Sequence, residues 1–429
     1  MTNSNHHRVV VTGLGVLAAN AHGLESFAGA LREGKSGIKF HQHLADAKFA
    51  CQVGGIPEGV DELQATYLTK EQLFAMNPNM VYAAIAAIDA WADSGLPRVP
   101  ADVDEVDWDT GAIIGTGIGG IDTIAEKLGP KTDAGKVRRL GSSMVEQIMS
   151  SGNSARISGL LALGNQVTTN SSACNTGTEA VIQGYYRIRE GHAKRMLAGG
   201  SEGHSHYIWA GFDAMRVLNK TRNDEPEKAS RPMSASAAGF IPGSGAGVLM
   251  LESLESATAR GARIYAEVLG GFVNSGGHRM GGSMTAPNPH SVRRCIKGAV
   301  AAAGIQPDQI GAINGHLTAT FADPMEVANW ANALELPADK LPLINSTKSL
   351  IGHGLGAAGG VECVASVLQL HHGFVHGSKN CEDLHPKLEA YANSIPHETV
   401  DMPNLDVVAK ASFGFGDVNG CVVFRKFRS

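Results

Sequence analysis

A single cysteine stands among small residues in NSSACNTGTEA, residues 170–180. Ser171, Ser172 and Ala173 precede Cys174, and Asn175, Thr176, Gly177 and Thr178 follow it. So little bulk leaves either a tight packed turn or a passage to the sulfur. Residues 166–169 read as a strand and 176–189 as a helix, so Cys174 falls where one gives way to the other. There the unpaired amides and the positive end of the helix dipole face the thiol, which lowers its pKa. The same amides can hold an oxyanion. The chemistry implied is attack on an acyl carbonyl, which needs hydrogen-bonding or basic partners, usually histidine. Of 17 histidines, two have unusual settings. His316 follows a strand in INGHLTAT, with small and hydroxyl residues after it. His353 lies between glycines in NSTKSLIGHGLGAAGGVE, ahead of small residues that permit close packing, with Lys348 and Glu362 on either side. His204 and His206, two apart, lack a third ligand nearby, and no metal is expected.

Positioning these residues requires alternating strands and helices. Residues 8–12 (RVVVT), 111–115 (GAIIG) and 194–198 read as strands, with a turn at Gly13-Leu14-Gly15 and helices over 25–32 and 79–94. A second set begins near Ile264, with a strand, a helix over 291–303 and a strand at 311–314. A long small-residue helix over 348–369 and terminal strands over 411–427 complete it. The recurring pattern predicts α/β layers with largely parallel sheets, in two halves meeting near residue 260. Gly13–Ala18 (GLGVLA, with Glu33 at the customary distance) and Gly115–Gly120 both fit the loose dinucleotide pattern G-x-G-x-x-G/A. Two matches among 53 glycines show how cheap that pattern is, so tight turns are the preferred reading and a nicotinamide enzyme rests on nothing else.

Composition narrows the class. The 429 residues carry a net charge of −5, which gives no reason to expect nucleic acid. The 6 cysteines are widely spaced without a CxxC pair, reading as reduced thiols in a cytoplasmic protein. The start, MTNSNHHRVVVTGLG, does not read as a signal peptide, and no apolar run reaches the roughly 18 residues of a membrane span.

NSSACNTGTEA, INGHLTAT, STKSLIGHGLGAAGGVE and SFGFGDVNG, in that order, resemble the β-ketoacyl-[acyl carrier protein] synthases of the thiolase superfamily, the synthase I and II group above all. The likeness spans the chain through VVVTGLGV, GIGG, LAGGSEG, PEKASRP and GFIPGSGAGVLMLESLESATARGARIYAEV. It implies a five-layered αβαβα, thiolase-like fold from two similar halves. Residues 1–260 would carry the nucleophilic cysteine and 261–429 the two catalytic histidines. The implied reaction is a decarboxylative Claisen condensation, with the acyl group held on Cys174 and His316 and His353 binding the malonyl thioester. By the same resemblance, Lys348 and Glu362 support His353, and the amides of Cys174 and Phe415 form an oxyanion hole, with Phe415 also the gate. Ile118 matches the position that gates the acyl pocket. Thr285, Thr318 and Thr320 match positions that hold the pantetheine arm. No cofactor is implied beyond the phosphopantetheine arm on which substrates arrive. Partners would be an acidic acyl carrier protein and a second copy, as a homodimer, or a related subunit in a heterodimer. Lys127, Lys131, Lys136, Arg138 and Arg139 are the richest candidate docking cluster, with Lys70, Lys220 and Arg222 beside it.

Three departures stand out. Leu317 replaces a glycine after His316, where it would adopt glycine-like angles only at a cost. Asp323 sits one residue closer to His316 than usual, and Asp417 replaces a glycine in the gating loop, which should stiffen it. PEKASRP and the GIKFHQHLADAKF region look like synthase I, whereas Ile118 looks like synthase II. Such mixing suggests a synthase from a specialised pathway or a divergent lineage, acting in fatty-acid or specialised polyketide- or polyene-type synthesis. The rival readings are a non-catalytic chain-length-factor-like subunit and a thiolase. The first typically lacks the nucleophile that this chain retains. The second uses another cysteine near the C-terminus, and here Cys421 lies beyond the SFGFGDVNG motif.

Overall fold

The computed structural model describes residues 6–100 and 102–428; the polar residues 1–5 of the expected non-signal start lie outside them. Its frame is ten strands, five from each half. In the first half these are β1 (Val9–Ala18), β2 (Thr110–Gly115), β3 (Val167–Thr168), β4 (Arg195–Glu202) and β5 (Gly245–Ser253). They lie in the order β1-β5-β4-β2-β3. In the second half β6 (Ala266–Ser275), β7 (Ala312–Asn314), β8 (Leu343–Asn345), β9 (Val407–Gly414) and β10 (Val418–Lys426) lie in the order β6-β10-β9-β7-β8. Counted within each half, both orders are 1-5-4-2-3. In each half the first two pairings are antiparallel and the last two parallel, so the sheets are mixed rather than largely parallel. The two sheets meet where β1 pairs antiparallel with β6 at Val9, Val10 and Val11.

Helices fill the layers between and outside these sheets. In the first half α1 (Pro78–Asp93) covers the outer face; Asn77 caps it by accepting from the amide of Met80 at 2.9 Å, and Pro78 opens it. The expected turn at Gly13-Leu14-Gly15 is absent, because β1 runs on to Ala18 with a bulge between Val11 and Gly13. A Cβ on Gly15 would lie 1.9 Å from the carbonyl of Ala86, so the glycine lets α1 lie directly on the strand. That removes the first dinucleotide reading. On the outer face of the second half lie α3 (Pro289–Ala303) and α4 (Asp323–Leu334), whose apolar faces join β7 and β9 in one buried cluster.

Between the sheets lie α2 (Thr176–Arg189) and α5 (Ala358–His372), buried together in the largest apolar cluster. Glycines set how close they come: a Cβ on Gly177 would stand 2.3 Å from the amide nitrogen of Gly360. The helix expected over 348–369 is broken. A short turn, Lys348–Ile351, ends at Gly352 with φ of 73°, and α5 proper starts only at Ala358. His353 occupies the break. The layers therefore run helix, sheet, helix pair, sheet, helix, a thiolase-like α/β fold. No helix among the described residues is long and apolar enough to cross a membrane.

Candidate active site

Both central helices begin at the same end of the molecule, next to the carboxyl ends of β3, β7, β8 and β9. Cys174 sits in a single 3₁₀ turn, Ala173–Asn175, directly before α2. Ala173 takes a φ of 50°, the left-handed region an alanine enters at a cost. The turn is held by Thr176, whose Oγ1 donates to the Ala173 carbonyl at 2.6 Å and accepts from the amide of Ser172 at 2.9 Å. His316 follows β7, His353 sits in the break before α5, and Phe415 follows β9. The sulfur and one nitrogen from each of the two imidazoles lie within 4.8 Å of one another. The two rings meet edge to face, 5.3 Å between centroids.

These three residues line one cavity of about 310 Å³, with Thr285, Thr318, Thr320 and Phe415 on its walls. Thr318 and Thr320 stand 3.1 Å apart, oxygen to oxygen. Ile118 is not on the lining: in the single chain it is 46 % exposed, beside the Gly117 carbonyl that accepts from Ser171 Oγ at 3.0 Å.

Electrostatics divide the site. Burial pushes the Cys174 thiol up to about 11, against the pull of Lys348 and of the Phe415 N–H, which points at the sulfur. The lowered pKa expected from the helix start is therefore not found at rest, because desolvation of the thiolate outweighs those two pulls although Cys174 lines the cavity and is only partly buried. Burial and the lysines Lys348 and Lys410 hold both histidines well below the usual imidazole range, so both rings are neutral. His353 Nδ1 accepts from the amide of Leu355 at 3.2 Å, which leaves its proton on Nε2 as a donor. His316 Nδ1 is buried with no hydrogen-bond partner among the described residues.

Lys348 and Glu362, expected to support His353, form a fully buried ion pair with each other. Three buried groups escaped the sequence reading. Lys410 joins the same Glu362 carboxylate at 2.9 Å. Glu202 accepts from the amides of Gly117 at 2.7 Å and Gly356 at 3.0 Å, tying the segment after His353 to β4. Glu326 accepts from the amides of His316 at 2.6 Å and Leu317 at 2.8 Å, while burial and Asp323 push it up to about 7. A lysine in the apolar run VVAKASFG and the glutamate of LAGGSEG were the available signals.

The departures have structural answers. Leu317 does take a positive φ, 26°, and its side chain is completely buried while its carbonyl accepts from Ser346 Oγ at 2.8 Å. Asp323 opens α4 and accepts from the amides of Thr318 at 2.9 Å and Ala319 at 3.0 Å, which folds the shortened loop over the helix start. Asp417 adopts φ of 58° and turns its carboxylate inward, accepting from the amides of Asn288 at 2.8 Å and His278 at 3.2 Å. A Cβ on Gly276 would lie 2.1 Å from that carboxylate, so the glycine makes room for it. Of the docking candidates, Lys70, Lys127, Lys136, Arg138, Arg139 and Lys220 are exposed, and Lys131 is half-buried. Arg222, also half-buried, pairs with Glu225 at 2.9 Å. Lys127, Lys131, Lys136, Arg138 and Arg139 make no ion pair among the described residues. His204 Nδ1 contacts the hydroxyl of Tyr82 at 2.9 Å, and no metal-binding group among the described residues includes it.

Comparison with known proteins agrees with this architecture. Residues 6–257 match the family described as Beta-ketoacyl synthase, N-terminal domain, and residues 265–382 its C-terminal domain. The 3-oxoacyl-[acyl-carrier-protein] synthase 2 of Vibrio harveyi is 36 % identical over 426 residues, covering 98 % of each chain. The 3-oxoacyl-[acyl-carrier-protein] synthase 1 of Escherichia coli K12 is 34 % identical over 430 residues, covering 98 % of this chain and 99 % of that one. A beta-ketoacyl synthase from Burkholderia phymatum superposes with a TM-score of 0.89 at 28 % identity, over 98 % of this chain and 100 % of that one. A type II polyketide ketosynthase solved with its acyl-carrier protein and a bound hexaketide gives 0.86 at 28 % identity, over 98 % and 100 %. Fold and relatives together define an acyltransferase of the condensing type. The chain belongs to the beta-ketoacyl synthase family.

Proposed function

We propose that this protein extends an acyl chain by decarboxylative condensation with malonyl-[acyl carrier protein], giving 3-ketoacyl-[acyl carrier protein]. The observation that carries this reading is the convergence of one thiol and two neutral imidazoles within 4.8 Å on a cavity open to a thioester. In the first half-reaction the Cys174 sulfur attacks the acyl carbonyl. The bond from that carbon to the pantetheine sulfur breaks, and the departing thiol takes the Cys174 proton. The resting thiol is protonated, so the attack depends on what stabilises sulfur as an anion: the start of α2, the Phe415 N–H and Lys348. The amides of Cys174 and Phe415 serve the oxyanion.

In the second half-reaction the malonyl carbonyl oxygen is held by imidazole N–H groups, Nε2–H in the case of His353. The bond to the carboxylate breaks, carbon dioxide leaves, and the electron pair stays as an enolate. Neutral imidazoles suit this step, being donors that need not exchange a proton. The enolate carbon attacks the acyl-Cys174 carbonyl, a C–C bond forms, and Cys174 leaves as thiolate and takes a proton from solvent. Residues 1–260 supply the nucleophile and 261–429 the histidines. Thr285, Thr318 and Thr320 at the cavity wall serve the pantetheine arm, and no other cofactor is used. The cysteine and both histidines are retained, which supports a catalytic rather than a chain-length-factor-like subunit.

The carrier protein docks at the basic cluster around Lys127 and Arg139, in the cytoplasm. Ile118, Ile124, Val137, Val145 and Met149 are exposed in the single chain, with Val145 at 67 %, which supports a homodimer that covers them and completes the acyl pocket at Ile118. The test is condensation with purified carrier-protein thioesters. Cys174→Ala should lose product formation yet still release carbon dioxide from the malonyl donor; ketoacyl product at the wild-type rate would refute the assignment.

A further inference from the structure

Lys410 lies on β9 in VVAKASFG and is completely buried. Its ammonium stands 2.9 Å from one oxygen of Glu362, and Lys348 holds the other oxygen of the same carboxylate. Lys410 also donates to the Ala411 carbonyl and, at 3.0 Å, to Ser412 Oγ. Ser412 Oγ in turn meets Thr178 Oγ1 at 2.9 Å, on the helix that Cys174 precedes. The cluster thus joins α5, β9 and α2 directly behind the reacting groups.

The fold does not require this cation. Glu362 is already paired with Lys348, and a second buried ammonium adds desolvation that an apolar side chain of similar length would avoid. One carboxylate cannot balance two ammonium groups, so with both charged the trio carries a surplus positive charge, and burial together with Lys410 pulls the Lys348 ammonium down from its usual range. Glu326 on α4 and the Cys174 thiol line the same cavity as the two imidazoles, and Glu202 at the end of β4 holds the amide of Gly356 beyond His353; burial favours the neutral form of each. Asp323 lies behind the His316 loop, its carboxylate spent on the amides of Thr318, Ala319 and Met233.

We propose that Lys410 is a positioning residue for the condensation, whose buried charge makes the histidine end of the cavity electropositive and stabilises the enolate formed there. This rests on the reading of the site given above. During decarboxylation no proton moves and nothing is oxidised. The C–C bond breaks, carbon dioxide departs, and negative charge passes from the malonyl carboxylate to the oxygen held by the imidazoles. A fixed cation behind those rings lowers the energy of that shift without touching substrate. Acyl transfer to Cys174 places its oxyanion instead at the amides of the cysteine turn, so the two half-reactions should respond unequally.

The experiment measures both half-reactions in full-length Lys410→Met: carbon dioxide release from malonyl carrier protein, and acylation of Cys174 by intact mass. Decarboxylation should fall about tenfold or more, while acylation stays within about threefold of wild type. The acid limb of the decarboxylation profile should move to higher pH, since loss of a nearby cation lets the imidazoles protonate more readily. Lys410→Gln, run in parallel, keeps a polar head without the charge and serves should methionine not fold. Ser412→Ala breaks the contact to Thr178 and removes one acceptor of Lys410, but leaves the ammonium its charge, Glu362 and the Ala411 carbonyl, and should leave decarboxylation near wild type. Unchanged decarboxylation in both Lys410 variants, an equal fall in both half-reactions, or the same loss in Ser412→Ala would overturn the proposal. A wild-type protein that performs neither half-reaction would instead overturn the condensing assignment itself.

Discussion

Cys174 and its two histidines are set up by opposite devices. The thiol is protonated at rest, and the start of α2 lies beside it to favour the anion that the proposed acyl transfer requires. The imidazoles are kept neutral by burial and by the neighbouring lysines, which fits them to donate hydrogen bonds rather than to act as bases. His353→Ala should therefore reduce carbon dioxide release by about a hundredfold or more while leaving acylation of Cys174 measurable. Equal loss of both would mean that the ring only supports the fold. Glu326 gives a second residue-scale test. Its carboxyl titrates near 7 in the folded chain and near 4.3 unfolded, so the folded state binds the proton more tightly. That contribution to stability is complete below about 4.3 and is lost as pH rises toward 7. The Tm of Glu326→Gln minus that of wild type should rise between about pH 5 and 7 and then level off; a flat difference would contradict the shift. Cys174, His316 and His353 were legible because their neighbours are unusual. Glu202, Glu326 and Lys410 were not, because a charged residue declares its burial only when distant segments close over it.

Breaks between elements do most of the positioning. The turn at Ala173 aims the thiol, and Gly352 ends the helical turn so that His353 enters the cavity instead of lying along a helix. The sequence pattern suggested one continuous helix there, since small residues persist across the break and periodicity does not register a single glycine at φ of 73°. The Phe415 loop is pinned from inside. Besides the carboxylate of Asp417, the Gly416 amide donates to the Met284 carbonyl at 2.8 Å and the Gly276 amide to the Asp417 carbonyl at 2.9 Å. Stiffening was expected of Asp417; its partners on 276–288 were not, because they lie far away in the chain. Asp417→Ala strands the buried amide of Asn288 and takes the acceptor from the part-buried amide of His278, at a cost of about 1–3 kcal/mol in urea unfolding. Protease cleavage near residues 276–288 should also quicken. A variant as stable as wild type and no more easily cut would show that the carboxylate does not hold the loop.

Across the whole molecule, the same five-strand order occurs twice, and the site lies where the starts of the two central helices converge. Most strands and helices could be read from periodicity, but not the strand order or the mixed pairing, which depend on contacts between distant segments. The close approach of α2 and α5 depends on glycine: Gly177→Ala drives a methyl into the backbone of Gly360 and should cost at least about 1–3 kcal/mol in thermal or urea unfolding. Wild-type stability would show that the helices can separate at no cost. On the surface, Arg138→Glu with Arg139→Glu should weaken carrier-protein affinity about tenfold at low salt and less at high salt, measured by titration calorimetry. Unchanged affinity would place docking elsewhere.

The most direct test of the account is intact-protein mass spectrometry after incubation with acyl-carrier-protein thioesters of several chain lengths, wild type against Cys174→Ala. The account predicts one acyl adduct per chain in wild type, of the preferred length, and none in the variant. A well-folded wild type that takes no adduct from any donor, or a variant that still takes one, would contradict it.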